Sequence, residues 1–252
     1  MIPKIAIPSY KRADRLVGRD YFKSALYVVP ESQADEYIAQ VGKRRVVAIP
    51  DRVDGNMARK RNWILKNMGR PLVMIDDDVV CLRTAEGMKD NGKLNQARDL
   101  TSEEATEVIA HGFNLANEWG IVFWGLNINP DGRIYHQYRP FSLNQIVLGP
   151  FQAHLVHGFL YDPKMGTKED YDFSIQVLND ERKLLRLNKY SYVCDHGDNP
   201  GGIVSYRTMD LEVQYCRAIE RKWGRDIIRY PMKPKRISQL LNGRVNIPIG
   251  DV

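Results

Sequence analysis

Before residue 80 the chain alternates four times between a short apolar run and a more polar, helix-forming stretch, a rhythm few folds accept. The runs are Lys4-Ile5-Ala6-Ile7-Pro8, Leu26-Tyr27-Val28-Val29-Pro30, Val46-Val47-Ala48-Ile49-Pro50 and Pro71-Leu72-Val73-Met74-Ile75. None shows the every-second-residue alternation of a half-exposed strand, so each reads as a strand covered on both faces. Such alternation predicts an α/β fold, a mostly parallel sheet with helices on both faces, whose ligands collect beyond the carboxyl ends of the strands. The clearest intervening helix is predicted from Asn56 to Met68, with Met57, Ile64, Leu65 and Met68 on one face and Gly69 and Pro71 ending it.

The second half predicts a mixed arrangement. Thr101 to Trp119 has a Thr101/Glu104 capping box, apolar residues at helical spacing and a closing Gly120. Ile121–Ile128 and Arg133–Tyr138 flank the turn-forming Asn129-Pro130-Asp131-Gly132, which predicts an antiparallel hairpin. Further strands are expected at Gln145–Leu148 and Tyr190–Cys194, and helices at Asp172–Leu178 and Leu211–Trp223. The stretch Cys81–Asn95, rich in Gly and charge, is expected to be a loop that closes over the site. The basic segment from Arg225 to Val252 is expected to be a partly irregular tail packed on the core.

With 252 residues of ordinary apolar and charged content, the chain can build one large α/β domain with a small C-terminal extension. The expected division is a core over 1–202, in a first half of about 1–100 and a second of about 101–202, followed by a helix and basic tail over 203–252. Three cysteines without a CxxC pair, no secretion-signal pattern and no apolar run of roughly 18 residues point to reducing cytoplasm and no membrane partner. Lysine and arginine outnumber aspartate and glutamate 37 to 31, so the net field favours polyanionic partners.

The fourth apolar run leads straight into Asp76-Asp77-Asp78. Three adjacent carboxylates at a strand end repel one another unless a cation sits among them, and a hard divalent ion, Mg²⁺ or Mn²⁺, meets that need.

Ile5-Ala6-Ile7-Pro8-Ser9-Tyr10-Lys11-Arg12, Gly55-Asn56-Met57-Ala58-Arg59-Lys60-Arg61-Asn62 and Met74-Ile75-Asp76-Asp77-Asp78 follow one another in order. Together they resemble the opening strand, the sugar-nucleotide helix and the metal motif of glycosyltransferases of the GT-A fold. The resemblance covers about residues 4–200 and implies a UDP-sugar donor. Pro8, Tyr10 and Arg12 would line the base and ribose, with Asp76 and Asp77 also on the nucleotide sugar. Arg59 or Arg61 would face the diphosphate, and Asp76, Asp78 and His196 would hold Mn²⁺ or Mg²⁺. Glu169-Asp170 looks like the acidic pair that opens the acceptor-side helix of inverting members, which makes Asp170, beside Glu169, the expected base. The bland reading of both acids is a favourable charge at a helix N-terminus. One departure is that the second strand ends Val28-Val29-Pro30-Glu31, without the Asp-Asp that many relatives use for uracil.

The compact chain also resembles the TET-associated glycosyltransferases of bacteriophages, which implies a DNA acceptor carrying a hydroxymethylated pyrimidine. Arg229, Lys233, Lys235 and Arg236, with Arg225, Arg244 and the interspersed Trp223 and Tyr230, would meet it. A small-molecule, lipid-linked or protein hydroxyl, and a catalytically inactive binding module, are the alternatives.

Overall fold

A computed structural model describes residues 3–86, 96–195 and 207–248. In chain order the strands and helices of the first half are β1 (Lys4–Pro8), β2 (Leu26–Pro30), α1 (Ala34–Val41), β3 (Val46–Ile49), α2 (Met57–Asn67), β4 (Leu72–Ile75), β5 (Val79–Ala85) and β6 (Ala97–Asp99). The rest are α3 (Ser102–Glu118), β7 (Phe123–Asn127), β8 (Phe141–Ser142), β9 (Phe151–His154), α4 (Glu169–Glu181), β10 (Leu185–Cys194), α5 (Met209–Trp223), β11 (Ile228–Arg229), α6 (Ser238–Leu241) and β12 (Arg244–Val245).

The central sheet runs β3-β2-β1-β4-β9-β7-β10-β5-β6, with β8 beside β10. The four apolar runs are its parallel left flank. Then β9 runs against both β4 and β7, and β5 against β10, while β7 and β10 are parallel. The strand direction therefore changes at β4/β9, beside Asp76.

Successive side chains divide between two cores, as the pleat requires. Ile5, Ile7, Val73 and Ile75 pack with Val108, Ile109 and Phe113 of α3, while Ala6, Leu72 and Met74 pack with Ile64 and Leu65 of α2 and Phe173 and Val177 of α4. The sheet is thus sandwiched by helices. On the α3 side the approach is close: a Cβ at Gly112 would lie 2.2 Å from the Trp124 indole, so only glycine fits. A third core joins α4 to the C-terminal segment through Tyr171, Ile175, Cys216, Ile219, Ile228, Tyr230 and Leu240.

The α3 capping box is present, with Thr101 Oγ1 accepting the Glu104 N–H at 3.2 Å and Glu104 accepting the Thr101 N–H at 2.8 Å. The hairpin expected at 121–138 does not form. Asn127, Asn129 and Asp131 each accept the backbone N–H two residues on, at 3.4, 2.9 and 3.0 Å, and wind the chain through consecutive Asx turns. In addition β9 and β10 already occupy both edges of β7.

Gln145–Leu148 is not a strand either. The Ser174 hydroxyl of α4 accepts the Val147 N–H at 3.0 Å and donates to its carbonyl at 2.7 Å, replacing a neighbouring strand. Of the loop expected over Cys81–Asn95, Cys81–Ala85 belongs to β5, paired on both sides by β10 and β6, and 87–95 lie outside the described residues.

Candidate active site

Asn56 caps α2 by accepting the Arg59 N–H at 3.1 Å, and its amide donates to the Pro163 carbonyl at 3.1 Å. In the helix so anchored, Lys60 and Arg61 are buried while Arg59 stays at the surface with its guanidinium on the Asp54 carbonyl at 3.1 Å. The face of α2 turned to the sheet therefore carries two cations besides Ala58, Ile64 and Leu65.

A cleft of about 190 Å³ opens at the carboxyl ends of β1 and β4. Pro8, Ser9, Tyr10 and Arg12 form one wall, Asp54 to Met57 and Lys60 another, Asp76–Asp78 the floor, and Arg207 reaches in from the segment before α5. Asp77 is turned back into the protein. Its carboxylate accepts the Ser9 hydroxyl at 2.5 Å and pairs with Arg12, and Ser9 also shares a hydrogen bond of 2.7 Å with Tyr37. Burial raises the Asp77 pKa, against the opposing pull of Arg12 and Ser9. This acid clamps the turn after β1 to the end of β4.

Arg61 joins the two acidic motifs. With 1% of its side chain exposed, it lies 2.8 Å from Asp76 and 3.2 Å from Glu169 at the start of α4, and donates to the Gly149 carbonyl at 3.3 Å. Burial alone would lower its pKa, but Asp76 and then Glu169 override that and raise it. Gly149 in turn donates its N–H to Asp170 at 2.9 Å, and the Tyr171 N–H reaches the other Asp170 oxygen at 2.8 Å.

Burial pushes Glu169 up to about 8, Arg61 opposing and Asp170 adding to the rise; Asp170 is also raised, by burial above all. Beneath Arg61 lies the Tyr161 ring, 5.6 Å from the guanidinium carbon and stacked on Phe173 at 4.2 Å. Its hydroxyl is held by Gln152 and His154 of β9, and its backbone by reciprocal 2.8 Å bonds with the Asn62 amide.

Asp78 differs from its neighbours. Its Oδ1 is buried with no hydrogen-bond partner among the described residues, and burial, then the charges of Asp76 and Asp77, push its carboxyl up to about 7. An orphaned anionic oxygen beside Asp76, whose side chain is a quarter exposed, fits the hard divalent cation expected from the sequence. Among the described residues no three His, Cys, Asp or Glu side chains converge as a complete metal site. His196 lies outside the described residues, one position beyond Asp195, whose N–H donates to the Asp78 carbonyl at 2.8 Å.

Ser9, Asp54, Lys60 and Arg207 are among the cleft residues to which the sequence assigned no role. A signal existed for Lys60, which precedes Ile64 by four residues and so shares its inward face. In the C-terminal segment Arg229, Lys233, Lys235 and Arg236 are exposed. The aromatic part of the expected acceptor surface is corrected: Tyr230 is 2% exposed in the third core, and Trp223 donates to the buried Asp172 at 2.7 Å. Both side chains hold α5 and its sequel against α4, and Arg225 is spent on Glu220 at 2.6 Å.

A profile of the TET-Associated Glycosyltransferase family matches residues 3–202. The chain belongs to that family. It is a glycosyltransferase, and its helix-covered, largely parallel sheet with acids at the end of β4 is of the GT-A kind. A relative of this TET-associated glycosyltransferase is the beta-glucosyl-HMC-alpha-glucosyl-transferase of Enterobacteria phage T6, 23% identical over 244 residues that span 87% of this chain and 81% of that protein. Among the described residues no helix is long and apolar enough to cross a membrane.

Proposed function

We propose that this glycosyltransferase moves a sugar, with inversion, from a UDP-sugar to a hydroxyl on a hydroxymethylated pyrimidine of DNA. The observation that carries this reading is the double pairing of Arg61, which sets the acids that open α4 beside the acids that end β4. A transferase with inversion needs those two sets together: a base for the acceptor and a stabilised leaving group, on opposite sides of one carbon.

Asp170 takes the proton of the acceptor hydroxyl, whose oxygen then attacks the anomeric carbon while the bond to the diphosphate oxygen breaks. The raised pKa of this half-buried carboxylate suits it to that exchange. Negative charge collects on the departing diphosphate, and Lys60 and Arg207, which line the cleft, are cations that would offset it. Asp76 and Asp78 would hold a divalent cation, which supplies further neutralising charge when bound. Tyr10 and Pro8 receive the nucleoside.

The DNA acceptor is supported by the name of the phage T6 relative and by the exposed cations of the C-terminal segment. A base in a duplex must be flipped out, at a cost of roughly a few kcal/mol that phosphate contacts offset. The test is mass spectrometry of oligonucleotides carrying hydroxymethylated or glucosylated hydroxymethylated cytosine after incubation with a panel of nucleotide sugars and Mn²⁺. A mass gain of one sugar on either oligonucleotide, with UDP-sugars favoured, is expected. Transfer to small neutral hydroxyl compounds with no gain on DNA would overturn the reading.

A further inference from the structure

The connection between β7 and β8 carries a surface that nothing above employs. No acid occurs between Asp131 and Asp162, although the chain holds 31 acids among 252 residues, so all the formal charge on this stretch is positive. Within it Tyr138 is 80% exposed, more than any other large apolar side chain among the described residues, and His136, Arg139 and Pro140 beside it are exposed as well. The His136 and Tyr138 rings lie 5.7 Å apart. Arg133, by contrast, is spent on Asp131 at 2.6 Å.

A fixed turn presents the ring. Arg139 closes it by donating its N–H to the His136 carbonyl at 2.8 Å. Asn188 of β10 then holds the turn: its side-chain amide donates to the Arg139 carbonyl at 3.0 Å and its N–H to the Pro140 carbonyl at 2.8 Å, while its own carbonyl accepts from the Asn127 amide at 3.3 Å. Exposed Lys189 follows directly, its ammonium 5.8 Å from the Tyr190 ring. The strand directions put this turn at the edge of the sheet that carries the cleft, because β9 runs against both β4 and β7, so that β4 and β7 end at the same edge. The last residue of β7, Asn127, pairs with Ser191, three residues and so roughly 10 Å along β10 from Cys194, which pairs with Val79 next to Asp78.

An aromatic face held in water among cations is matched by a strand of nucleic acid, whose bases offer π faces and whose phosphates offer charge. A protein partner would call for an apolar patch around the ring, whereas the exposed neighbours are His136, Gln137 and Arg139. A base flipped into the site leaves its neighbour in the strand without a stacking partner, and a ring at the same edge of the sheet replaces it. Resting on the reading that the acceptor is DNA, we propose that the 136–139 turn is a contact surface for the acceptor strand. Tyr138 stacks on a base flanking the one that is modified, and Arg139 and Lys189 meet the phosphates of that strand.

Fluorescence anisotropy of the intact protein with a labelled single-stranded oligonucleotide carrying hydroxymethylated cytosine tests this. Tyr138→Ala should weaken binding about 5- to 100-fold, the range of one base–aromatic stack, and Tyr138→Phe, which keeps the ring, should bind like wild type. Changing Arg139 and Lys189 together to Gln should lower the slope of log affinity against log salt by about 1.4, the share of two phosphate contacts on a single strand. Because the Tyr138 side chain is so exposed, its loss should leave the fold in place, and the urea midpoint of the same preparations checks that. If Tyr138→Ala binds the oligonucleotide as wild type does, or if Tyr138→Phe is as weak as Tyr138→Ala, the stacking proposal fails while the DNA reading stands. An unchanged salt slope in the double variant takes the strand away from Arg139 and Lys189 and overturns it as well. A urea midpoint that falls with Tyr138→Ala assigns the lost affinity to the fold and counts against the proposal in the same way. If wild type binds no DNA, the acceptor reading falls and this proposal with it.

Discussion

Replacing Arg61 with Met keeps most of the side chain's apolar volume and removes its charge, so the change isolates electrostatics from packing. Two carboxylates lose a partner. Asp76 is 26% exposed and water can reach it, so most of the cost falls on Glu169, at 5%. Stripping one partner from a buried pair costs about 3–5 kcal/mol, and little cavity cost adds to it. The penalty depends on pH in a definite direction. Glu169 titrates higher in the folded chain, about 8, than its ordinary 4.5, so the stability tied to its proton is complete below that ordinary value and is lost as pH rises to about 8. Without Arg61 the folded value climbs further. Urea denaturation should therefore show a deficit that is small near pH 5, where Glu169 is protonated in both proteins, and that widens as pH rises through and above about 8 toward the ~3–5 kcal/mol of a stripped buried pair, with Glu169→Gln in the same chain removing much of that pH dependence. A deficit that stays flat as pH is raised past about 8, or one that grows as pH falls, would falsify the view that Arg61 neutralises Glu169.

Three further outcomes are expected. Asp78→Ala should abolish sugar transfer, and wild-type donor binding should depend on Mn²⁺ or Mg²⁺; equal UDP-sugar affinity with and without metal in calorimetry would remove the cation from the mechanism. Asp170→Asn should leave donor binding intact and lower turnover by about 10²–10⁴-fold, whereas a wild-type rate would pass the role of base to another group. Changing Lys233, Lys235 and Arg236 together to Gln should weaken DNA binding, flatten its salt dependence and leave donor hydrolysis unchanged, and an unaltered salt slope would place the DNA elsewhere.

The left flank of the sheet was legible because its strands are unbroken apolar runs, three of them ending at or just before a proline. The start of α3 followed from the local Thr101/Glu104 capping box. By contrast β9 is invisible in the sequence. Gln152 and His154 are polar, yet both are fully buried, the Gln152 carbonyl oxygen and the His154 ring meeting the hydroxyl of Tyr161 nine and seven residues away. No local pattern announces a partner of that kind. Likewise Asn129-Pro130-Asp131-Gly132 has the composition of a hairpin turn, but its neighbours in the sheet are chosen by strands 151–154 and 185–194.

In the site, Asp76–Asp78, Glu169 and Asp170 stood out as clustered acids. Lys60 and Asp54 did not, because the ordinary place for either is the surface, and only the folded chain brings Lys60 to the carbonyl of Ser9.

The order of the strands also bears on how the chain is made. Until residues 151–154 leave the ribosome, β4 has no neighbour on its Asp76 side, and all of 76–150 must be synthesised first. At 5–20 residues per second its open edge waits roughly 4–15 seconds. Throughout that interval Leu72–Ile75, four apolar residues with unpaired amides, is a template for any extended peptide nearby. The three aspartates that follow serve the nascent chain as well as the finished one: their mutual repulsion deters a second copy from docking there, until β9 arrives and closes the edge.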